Sequence, residues 1–331
     1  MIGLLIGGVL GLVLSAAGTP LFIRFLVKRG YGQFVRDDGP TTHKTKRGTP
    51  TMGGAVIIGS LVLAYLITHG LLAVLGVDFG GPTASGLILL LLTVGMAFVG
   101  FVDDFTKITK QRSLGLTPRG KIILQALIGT AFAVLALNFP DERGLTPAST
   151  AISFARDIPW LDLAFAGPAI GVILFVIWSN LITTATTNAV NLTDGLDGLA
   201  TGATAMITGA YVLMSLFQSS QSCALEGTRG CYEVRDPMDL ALLAAILTGS
   251  LLGFLWWNTS PAKIFMGDTG SLGLGGALAG FAIFTRTEIL VAVLAGLMVA
   301  ITLSVIIQVG WFKVSGGKRV FLMAPLQHHF E

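Results

Sequence analysis

The stretch Asn188-Ala-Val-Asn-Leu-Thr-Asp-Gly-Leu-Asp-Gly198 separates two long apolar segments, Leu163–Thr187 and Leu199–Phe217. Each segment is long enough to cross the hydrocarbon core of a bilayer as a helix, which takes about 20 residues. A connection that only had to be soluble would be shorter or rich in lysine. The stretch therefore predicts two membrane helices joined by a polar segment with a further purpose.

The polar side chains of this stretch belong to Asn188, Asn191, Thr193, Asp194 and Asp197. Asp194 and Asp197 are three residues apart, so they share one face if a helix begins here. A simpler interpretation makes Asp194 or Thr193 the N-cap of the following helix. A cap accounts for one polar residue but not for five, and polar groups in membrane segments often mark functional sites. We therefore favour a functional site.

The composition indicates an integral membrane protein. Of the 331 residues, 53% are hydrophobic and 12% are charged, whereas soluble domains carry about 25% charged residues. The apolar segments are continuous over roughly 20 residues, unlike the alternating strands of about 10 residues in a transmembrane β-barrel. No polar segment is long enough for a soluble domain. The sequence predicts an all-α, polytopic transmembrane bundle that forms one domain over residues 1–331.

Apolar segments at nine places are predicted to span the membrane. They are Ile2–Val27, Met52–Val77, Ala84–Val102, Ile122–Phe139, Leu163–Thr187, Leu199–Phe217, Met238–Trp257, Ser271–Thr285 and Ile289–Val314. Positive charge follows the first segment instead of preceding it, which is typical of an uncleaved helix with its N-terminus outside. In that orientation sixteen of the 21 lysines and arginines fall inside. The positive-inside rule therefore predicts that the polar motifs face the cytoplasm.

The two cysteines, Cys223 and Cys231, lie in a loop that this orientation places outside the cell. Disulfides form and persist in oxidising compartments. We therefore predict a disulfide between them. Because it closes a short loop, its contribution to stability is at most about 2–3 kcal/mol.

Two adjacent aspartates, Asp103 and Asp104, end another predicted helix. Negative charge at a helix C-terminus opposes the helix dipole, so local stability does not explain the pair. The carboxylates suit a divalent cation or proton abstraction, and the simpler alternative is a solvated helix end. A third carboxylate, Asp268, lies in a turn-rich segment, where its simpler alternative is an N-cap.

The segment His43–Gly54 mixes cations, hydroxyl groups and backbone amides, a combination that suits phosphate. Positive-inside charge alone explains its lysines but not its threonines and glycines. Mg²⁺ prefers one or two carboxylates together with substrate phosphate oxygens. Carboxylates and cations at a membrane surface together indicate phosphoryl transfer from a soluble phosphorylated donor to a lipid acceptor.

Motifs at five places, spread over nearly the whole chain, resemble those of one enzyme family and occur in the same order. They are Thr49–Gly54, Asp103–Lys107, Asn188–Gly198, Phe265–Leu272 and Met323–His329. The chain resembles the polyprenyl-phosphate N-acetylhexosamine-1-phosphate transferases, and among them the bacterial phospho-N-acetylmuramoyl-pentapeptide transferases (translocase I). The first and last motifs favour this branch over relatives that use other sugars.

The resemblance implies a reaction, a cofactor and a location. The phospho-N-acetylmuramoyl-pentapeptide would pass from its UDP-linked donor to undecaprenyl phosphate in the bacterial plasma membrane, giving lipid I and UMP for peptidoglycan synthesis. The implied cofactor is Mg²⁺, and no nucleic acid is expected as a partner. Because one pyrophosphate bond replaces another, the equilibrium should lie near unity.

The same resemblance implies roles for individual residues. Asp268 holds Mg²⁺, with Asp194 as a second candidate ligand, and Asp103 or Asp104 deprotonates or positions the lipid phosphate. The implied catalytic set is Asp103, Asp104, Asp268, His328 and His329. The implied substrate-binding set is Lys46, Thr51, Lys107, Lys121, Asn188, Asn191, Asp194, Gly195, Leu196, Asp197, Asn258 and Phe265.

The chain departs from the family pattern in three places. Gln327 stands where many members have the first of three histidines, and a carboxamide cannot transfer a proton near neutral pH. Ile301 stands where relatives often have Glu, so an acidic contact is missing. Members usually continue into a tenth helix beyond the position of Glu331, so either the chain is a fragment or that helix is absent.

Other protein classes fit part of the pattern. Asp103 and Asp268 resemble the paired aspartates of an intramembrane aspartyl protease, but that interpretation leaves Lys46, Lys107 and Asn191 unexplained. Intramembrane ionisable residues also mark ion paths in transporters, although the chain shows no inverted repeat. Mg²⁺-dependent release of UMP separates the transferase from both classes. A transferase for another sugar, a one-step or an aspartyl-intermediate mechanism, and a homodimer all stay open.

Overall fold

The computed structural model describes residues 1–31, 48–77, 80–111, 114–226 and 230–330. Within these ranges the chain is mainly helical, with one antiparallel two-stranded sheet. The elements are α1 (Ile2–Arg29), α2 (Gly54–Val74), α3 (Ala84–Thr109), α4 (Pro118–Ala136), β1 (Ala151–Ser153), β2 (Asp157–Asp162), α5 (Pro168–Thr193), α6 (Leu199–Ser220), α7 (Cys223–Glu226), α8 (Pro237–Asn258), α9 (Gly267–Phe284), α10 (Leu290–Leu294), α11 (Gly296–Val314) and a 3₁₀ turn (Leu326–His329).

Among the described residues, eight helices are long and apolar enough to cross a membrane: α1 to α6, α8 and α11. The predicted segment Ser271–Thr285 corresponds to α9, which has 18 residues, is rich in glycine and lies inside the bundle. The predicted all-α, polytopic bundle is confirmed. The expected segment Ile289–Val314 is split, because α10 and α11 meet at Ala295 and Gly296. Glycine is a poor helix former since its backbone is so free.

Helix α9 lies at the centre of the bundle, and every residue from Thr269 to Phe284 is buried. Helices α2, α3 and α5 pack on it, and glycines permit their close approach. A Cβ on Gly100 of α3 would lie 2.0 Å from the carbonyl oxygen of Asp268. A Cβ on Gly275 of α9 would lie 2.3 Å from the Cα of Thr187 in α5. Close packing therefore fixes the start of α9 against its neighbours.

Further helix pairs surround this centre. Helix α1 packs along α8, again through glycine, because a Cβ on Gly249 would lie 2.0 Å from the carbonyl oxygen of Gly8. Helix α6 also packs on α8, and α4 packs on both α3 and α5. Helix α4 is thereby brought beside the start of α9.

The end of the bundle opposite the start of α9 carries the sheet and the disulfide. Cys223 and Cys231 are bonded, with their Cα atoms 4.9 Å apart, so the predicted disulfide is confirmed. Strand β1 docks on the turn after α9, where the Ser153 amide donates to the Glu288 carboxylate at 3.0 Å. The Ile289 amide donates in return to the Ser153 carbonyl at 3.0 Å. Burial raises the pKa of Glu288 to about 7.

A buried carboxylate near the same end ties three helices together. Asp239 of α8 accepts hydrogen bonds from the Tyr65 hydroxyl at 2.8 Å and the Thr83 hydroxyl at 2.7 Å. It also lies 3.1 Å from His69 Nε2. A buried charge needs such partners, and these connect α2 and the start of α3 to α8.

Candidate active site

Asp268 lies in the first turn of α9, and both of its carboxylate oxygens have partners on other helices. Its Oδ1 accepts a hydrogen bond from Asn191 of α5 at 2.8 Å. Its Oδ2 lies 2.6 Å from Lys121 Nζ of α4 and 3.1 Å from Lys107 Nζ of α3. The helix dipole also favours a negative charge at this position. Side chains from four helices therefore meet at Asp268.

The adjacent aspartates of α3, Asp103 and Asp104, are both buried and have different partners. Asp103 accepts from the Leu116 amide at 2.8 Å, and its other oxygen lies 2.6 Å from Lys107 Nζ. Asp104 accepts from the amide of Thr269 at 2.9 Å and from its hydroxyl at 2.8 Å. Amides in the first turn of a helix lack intrahelical partners. Asp104 therefore caps α9 from a neighbouring helix.

The carboxylates of Asp103, Asp104 and Asp268 form one cluster, with an oxygen of each within 4.8 Å of the others. Such a group can hold a metal ion, since hard cations take carboxylate oxygens. Lys107 and Lys121 contact the same cluster. When all five groups are ionised, three carboxylates and two ammonium groups leave one net negative charge. The cluster is therefore suited to a divalent cation and to phosphate oxygens at the same time.

The loop before α2 packs against the segment that leads into α9. The Gly53 amide donates to the Phe265 carbonyl at 2.9 Å, and the Phe265 amide donates to the Pro50 carbonyl at 2.9 Å. Gly267 has a φ of 74°, and a Cβ there would lie 2.9 Å from Thr51 Oγ1. Both the φ value and the crowding favour glycine. This packing places Thr51 beside Gly267, which also borders Asp104, and holds Phe265 in the segment that leads to Asp268.

Two asparagines of α5, both predicted to bind substrate, have different surroundings. Asn191 Nδ2 lies 2.8 Å from both Asp268 Oδ1 and Ser271 Oγ. Asn188 instead donates to the carbonyl of Thr184 in its own helix at 2.7 Å. The structure therefore joins Asn191 to the cluster, while the role of Asn188 stays a prediction.

Two aspartates lie between α5 and α6. Asp194 follows the last residue of α5 and hydrogen-bonds to the backbone at the start of α9. Burial raises the pKa of Asp194, and the neighbouring charges of Asp268 and Asp104 add to the effect. Asp197 accepts from the Ala262 amide at 3.2 Å and so holds the segment before α9. Asp194 is therefore the aspartate of this pair that borders the cluster.

Asn258, at the end of α8, is buried and its carboxamide is engaged. Its Oδ1 accepts from the Thr201 hydroxyl at 2.7 Å, and its Nδ2 donates to the Ile264 carbonyl at 3.0 Å. Leu196 forms the turn into α6, where its carbonyl accepts from the Leu199 amide at 3.1 Å. These contacts hold the end of α8 to α6 and to the segment before α9, and the expected contacts of Asn258 and Leu196 with uridine stay predictions.

The C-terminal tail returns to the end of α5. Gln327 Nε2 donates to the Leu192 carbonyl at 3.0 Å, and a Cβ on Gly195 would lie 2.9 Å from His328 Nε2. His329 Nδ1 accepts from a backbone amide within the tail at 3.1 Å. The tail therefore brings His328 to the polar segment after α5, while His329 stabilises the tail itself. The carboxamide of Gln327 thus anchors the tail to the end of α5.

Most of the predicted site residues are brought to one end of the bundle, and Lys46 lies outside the described residues. Sequence reasoning missed Thr269, Ser271 and Thr201, whose hydroxyl groups bind Asp104, Asn191 and Asn258, respectively. Thr269 and Ser271 follow Asp268 within a run of small polar residues. This run could have indicated that they belong to the site. Thr201 lies inside an apolar segment and gives no such signal.

Comparison with known proteins identifies the family. Residues 86–286 match the model of glycosyl transferase family 4, and residues 46–58 match signature 1 of phospho-N-acetylmuramoyl-pentapeptide-transferase. A phospho-N-acetylmuramoyl-pentapeptide-transferase from Pseudarthrobacter chlorophenolicus is 67% identical over 333 residues, which cover 100% of this chain and 90% of that protein. The chain belongs to this family.

Other members of the family are nearly as similar. Proteins of the same name from Kocuria rhizophila and Streptomyces coelicolor are 62% and 57% identical, and the alignments cover 88% and 89% of their lengths. The glycosyl transferase family 4 match, from Gly86 to Arg286, contains the three clustered aspartates and both lysines. The family signature contains Thr51. The resemblance drawn from the sequence motifs is thus confirmed, and the chain is a multi-pass membrane protein of this family.

Proposed function

We propose that the chain transfers phospho-N-acetylmuramoyl-pentapeptide from its UDP-linked donor to undecaprenyl phosphate, giving lipid I and UMP. A phosphate oxygen of the acceptor becomes bonded to the β-phosphorus of the donor. The bond between this phosphorus and the oxygen that leaves with UMP breaks. One pyrophosphate linkage is lost and one is formed, so the reaction needs neither water nor an oxidant.

The observation that carries this proposal is the meeting of three carboxylates and two lysines at one end of a bundle of membrane-length helices. The phosphate of a lipid acceptor lies at the bilayer surface, whereas the nucleotide donor arrives from water. A charged cluster at helix ends is within reach of both. The names of the curated relatives support the same reaction.

We further propose Mg²⁺ as the cofactor of this cluster. Asp268 together with Asp103 or Asp104 would hold it, because Mg²⁺ takes one or two protein carboxylates along with substrate phosphate oxygens. The bound ion would supply neutralisation of the charge that develops on the pyrophosphate. Lys107 and Lys121, which contact the same oxygen of Asp268, would bind phosphate oxygens when substrate is present.

Asp103 is the better candidate for acting on the lipid phosphate. Asp104 caps α9 through two hydrogen bonds from Thr269 to its Oδ2. Asp103 accepts from the Leu116 amide and lies 2.6 Å from Lys107, one of the two lysines proposed to bind phosphate. A phosphate monoester is largely dianionic at neutral pH, its second pKa being about 6. Asp103 therefore removes only the remaining fraction of a proton, and it orients the phosphate. Asp194, beside the cluster, is the second candidate metal ligand.

An aspartyl protease, the alternative from another class, is less well supported. That mechanism needs two carboxylates that share one proton. Lysine ammonium groups lie 2.6 Å from Asp103 and 2.6 Å from Asp268, and a shared proton does not account for them. Two lysines beside the carboxylates fit a polyanionic substrate instead.

We also propose that the cluster faces the cytoplasm, on the basis of the positive-inside bias. The test is labelling in intact cells by a membrane-impermeant maleimide, in a variant without Cys223 and Cys231. A cysteine at exposed Lys110, at the cluster end of the bundle, should stay unlabelled. A cysteine at exposed Ser220, at the opposite end, should react. The reverse pattern would overturn this orientation.

The proposed reaction is tested with the purified protein, the UDP-linked muramoyl-pentapeptide and undecaprenyl phosphate. UMP and a lipid-linked product should appear in equal amounts, and only when the acceptor and a divalent cation are both present. UDP-N-acetylglucosamine serves as the control donor. UMP release from that donor alone would assign the chain to another sugar, and UMP release without acceptor would indicate hydrolysis.

A further inference from the structure

Gln125 of α4 is a buried carboxamide without a hydrogen-bond partner among the described residues. The residue is 1% exposed, and neither Oε1 nor Nε2 has a partner. Because the interior of a membrane bundle offers little water, an unpartnered polar group there destabilises the fold. Residues that break packing rules in this way are expected at functional sites. Gln125 therefore needs a functional explanation.

The position of Gln125 connects it to the active-site cluster. It follows Lys121 by four residues, so the two side chains share one face of α4. Helical side chains lean toward the N-terminus of their helix, which directs Gln125 toward Lys121. One turn further, Gly129 packs so closely on α5 that a Cβ would lie 2.5 Å from Asn180 Oδ1. This face of α4 is pressed into the bundle, with Gln125 one turn below Lys121.

Lys121 has to change partners during the proposed reaction. Its ammonium group lies 2.6 Å from Asp268 Oδ2 and 3.6 Å from Asp103 Oδ1. Lys107 shares the same Asp268 oxygen at 3.1 Å. When Asp268 holds a divalent cation, both ammonium groups lose this acceptor. A lysine ammonium group has three N–H donors, so a single phosphate oxygen does not satisfy Lys121.

We propose that Gln125 is a positioning residue whose Oε1 accepts a hydrogen bond from Lys121 once the cluster holds its cation. This bond would fix the ammonium group where the substrate phosphate arrives. In the structure Lys121 contacts Asp268, and the carboxamide of Gln125 has no partner among the described residues; a cation on Asp268 would free Lys121 to bind Gln125. The identity of the substrate rests on the proposed function, but the positioning role is testable with MgCl₂ alone.

The test variant is Gln125→Met, which keeps the length of the side chain and removes both polar atoms. Without ligand, its melting temperature should equal or exceed that of the wild type, because an unpartnered polar group is removed. Addition of MgCl₂ should raise the melting temperature of the wild type and raise that of the variant less. The kcat should fall about ten-fold, as for a lost hydrogen bond to a charged group, with a smaller change in KM for the donor.

The matched control is Gln218→Met. Gln218 is also buried and its Oε1 has no partner among the described residues, but its Nε2 donates to the Thr285 carbonyl at 2.8 Å at the opposite end of α9. The control should lower the melting temperature and leave the response to MgCl₂ as in the wild type. A double variant of Gln125→Met with Lys121→Met should be no worse than Lys121→Met alone, since both act through one contact.

Four results would overturn the positioning role. The first is a Gln125→Met variant with the kcat and the MgCl₂ response of the wild type, and the second is a lower melting temperature of this variant without ligand. The third is a double variant whose loss of kcat equals the sum of the two single losses in free energy. The fourth is a wild-type melting temperature that does not change with MgCl₂. Failure of the proposed reaction is distinguishable, because it would abolish UMP release by the wild type. The MgCl₂ response of Gln125→Met would still decide the role of Gln125.

Discussion

Replacement of Asp268 by asparagine is the most direct perturbation of the cluster. The variant keeps the size of the side chain and one acceptor oxygen, so the hydrogen bond from Asn191 can persist. It removes the negative charge that lies 2.6 Å from Lys121 and 3.1 Å from Lys107. The two remaining carboxylates and the two ammonium groups then carry no net charge. We expect the affinity for a divalent cation to fall.

The magnitude follows from Coulomb's law. Two unit charges 4 Å apart interact by about 4 kcal/mol at an effective dielectric constant of about 20, and a divalent cation doubles this. If relaxation and screening leave only about a third, the loss is still about 2.7 kcal/mol, or roughly 100-fold. We therefore expect Asp268→Asn to lower turnover by at least about 100-fold and to weaken its dependence on Mg²⁺.

The assay is UMP release as a function of MgCl₂ concentration, with donor binding measured by calorimetry. Asp141→Asn is a matched control, because Asp141 pairs with Arg143 in an exposed turn and should not affect turnover. Asp103→Asn should lose kcat and keep donor binding. If Asp268→Asn keeps the wild-type Mg²⁺ profile while Asp103→Asn loses it, the metal and base assignments must be exchanged. If neither variant changes, the electrostatic reasoning is refuted.

Other predictions concern stability, the disulfide and the tail. Because burial raises the pKa of Glu288 to about 7 from an ordinary value of 4.5, the folded protein keeps a proton that the unfolded chain loses. The free energy of unfolding should therefore decrease as the pH rises from 4.5 to about 7, by up to about 3 kcal/mol. Glu288→Gln should remove this pH dependence in thermal melts. Treatment with an alkylating reagent in the absence of reductant should leave the intact mass of the protein unchanged, because Cys223 and Cys231 are bonded to each other. A His328→Ala/His329→Ala variant should lose most UMP release while still folding.

Each of these predictions has a contrary outcome. A Glu288→Gln variant that loses stability with rising pH as the wild type does would place the titrating group elsewhere. Addition of two alkyl groups would show that the Cys223–Cys231 disulfide is not formed. A nearly unchanged rate for the double histidine variant would limit His328 and His329 to orienting the tail. Gln327→His should keep substantial activity, since a histidine can also donate to the end of α5.

The sequence predicts much of the fold because a membrane-spanning helix needs an apolar segment of about 20 residues, which is easily recognised. In a bilayer, a continuous apolar segment can form all of its backbone hydrogen bonds only as a helix. The apolar segments therefore predict a helical bundle. The same logic found the cluster. Charged residues such as Asp103, Lys107 and Asp268 at the ends of apolar runs are poorly explained by local structure, and the structure brings them together.

The remaining features depend on packing that a single sequence does not reveal. Asp104 caps α9, which requires the angle between two helices. Asp239, in the first turn of α8 and outside every motif, binds Tyr65 of α2 and the N-cap residue of α3, both far away in sequence. Gln125 lies inside an apolar run, where one polar residue barely changes the pattern. Whether it faces lipid or the protein interior depends on the rotation of α4.

The central claim is that the Asp268 cluster moves a phosphorylated sugar from a nucleotide to a lipid phosphate. The most direct measurement uses a donor with radioactive phosphorus in its β-phosphate and vesicles that contain undecaprenyl phosphate. We predict that the label enters the lipid phase in an amount equal to the UMP released. Excess UMP should return the label to the nucleotide-linked donor, because one pyrophosphate bond replaces another and the reaction is reversible. Label that remains in water, or appears as inorganic phosphate, would contradict the claim.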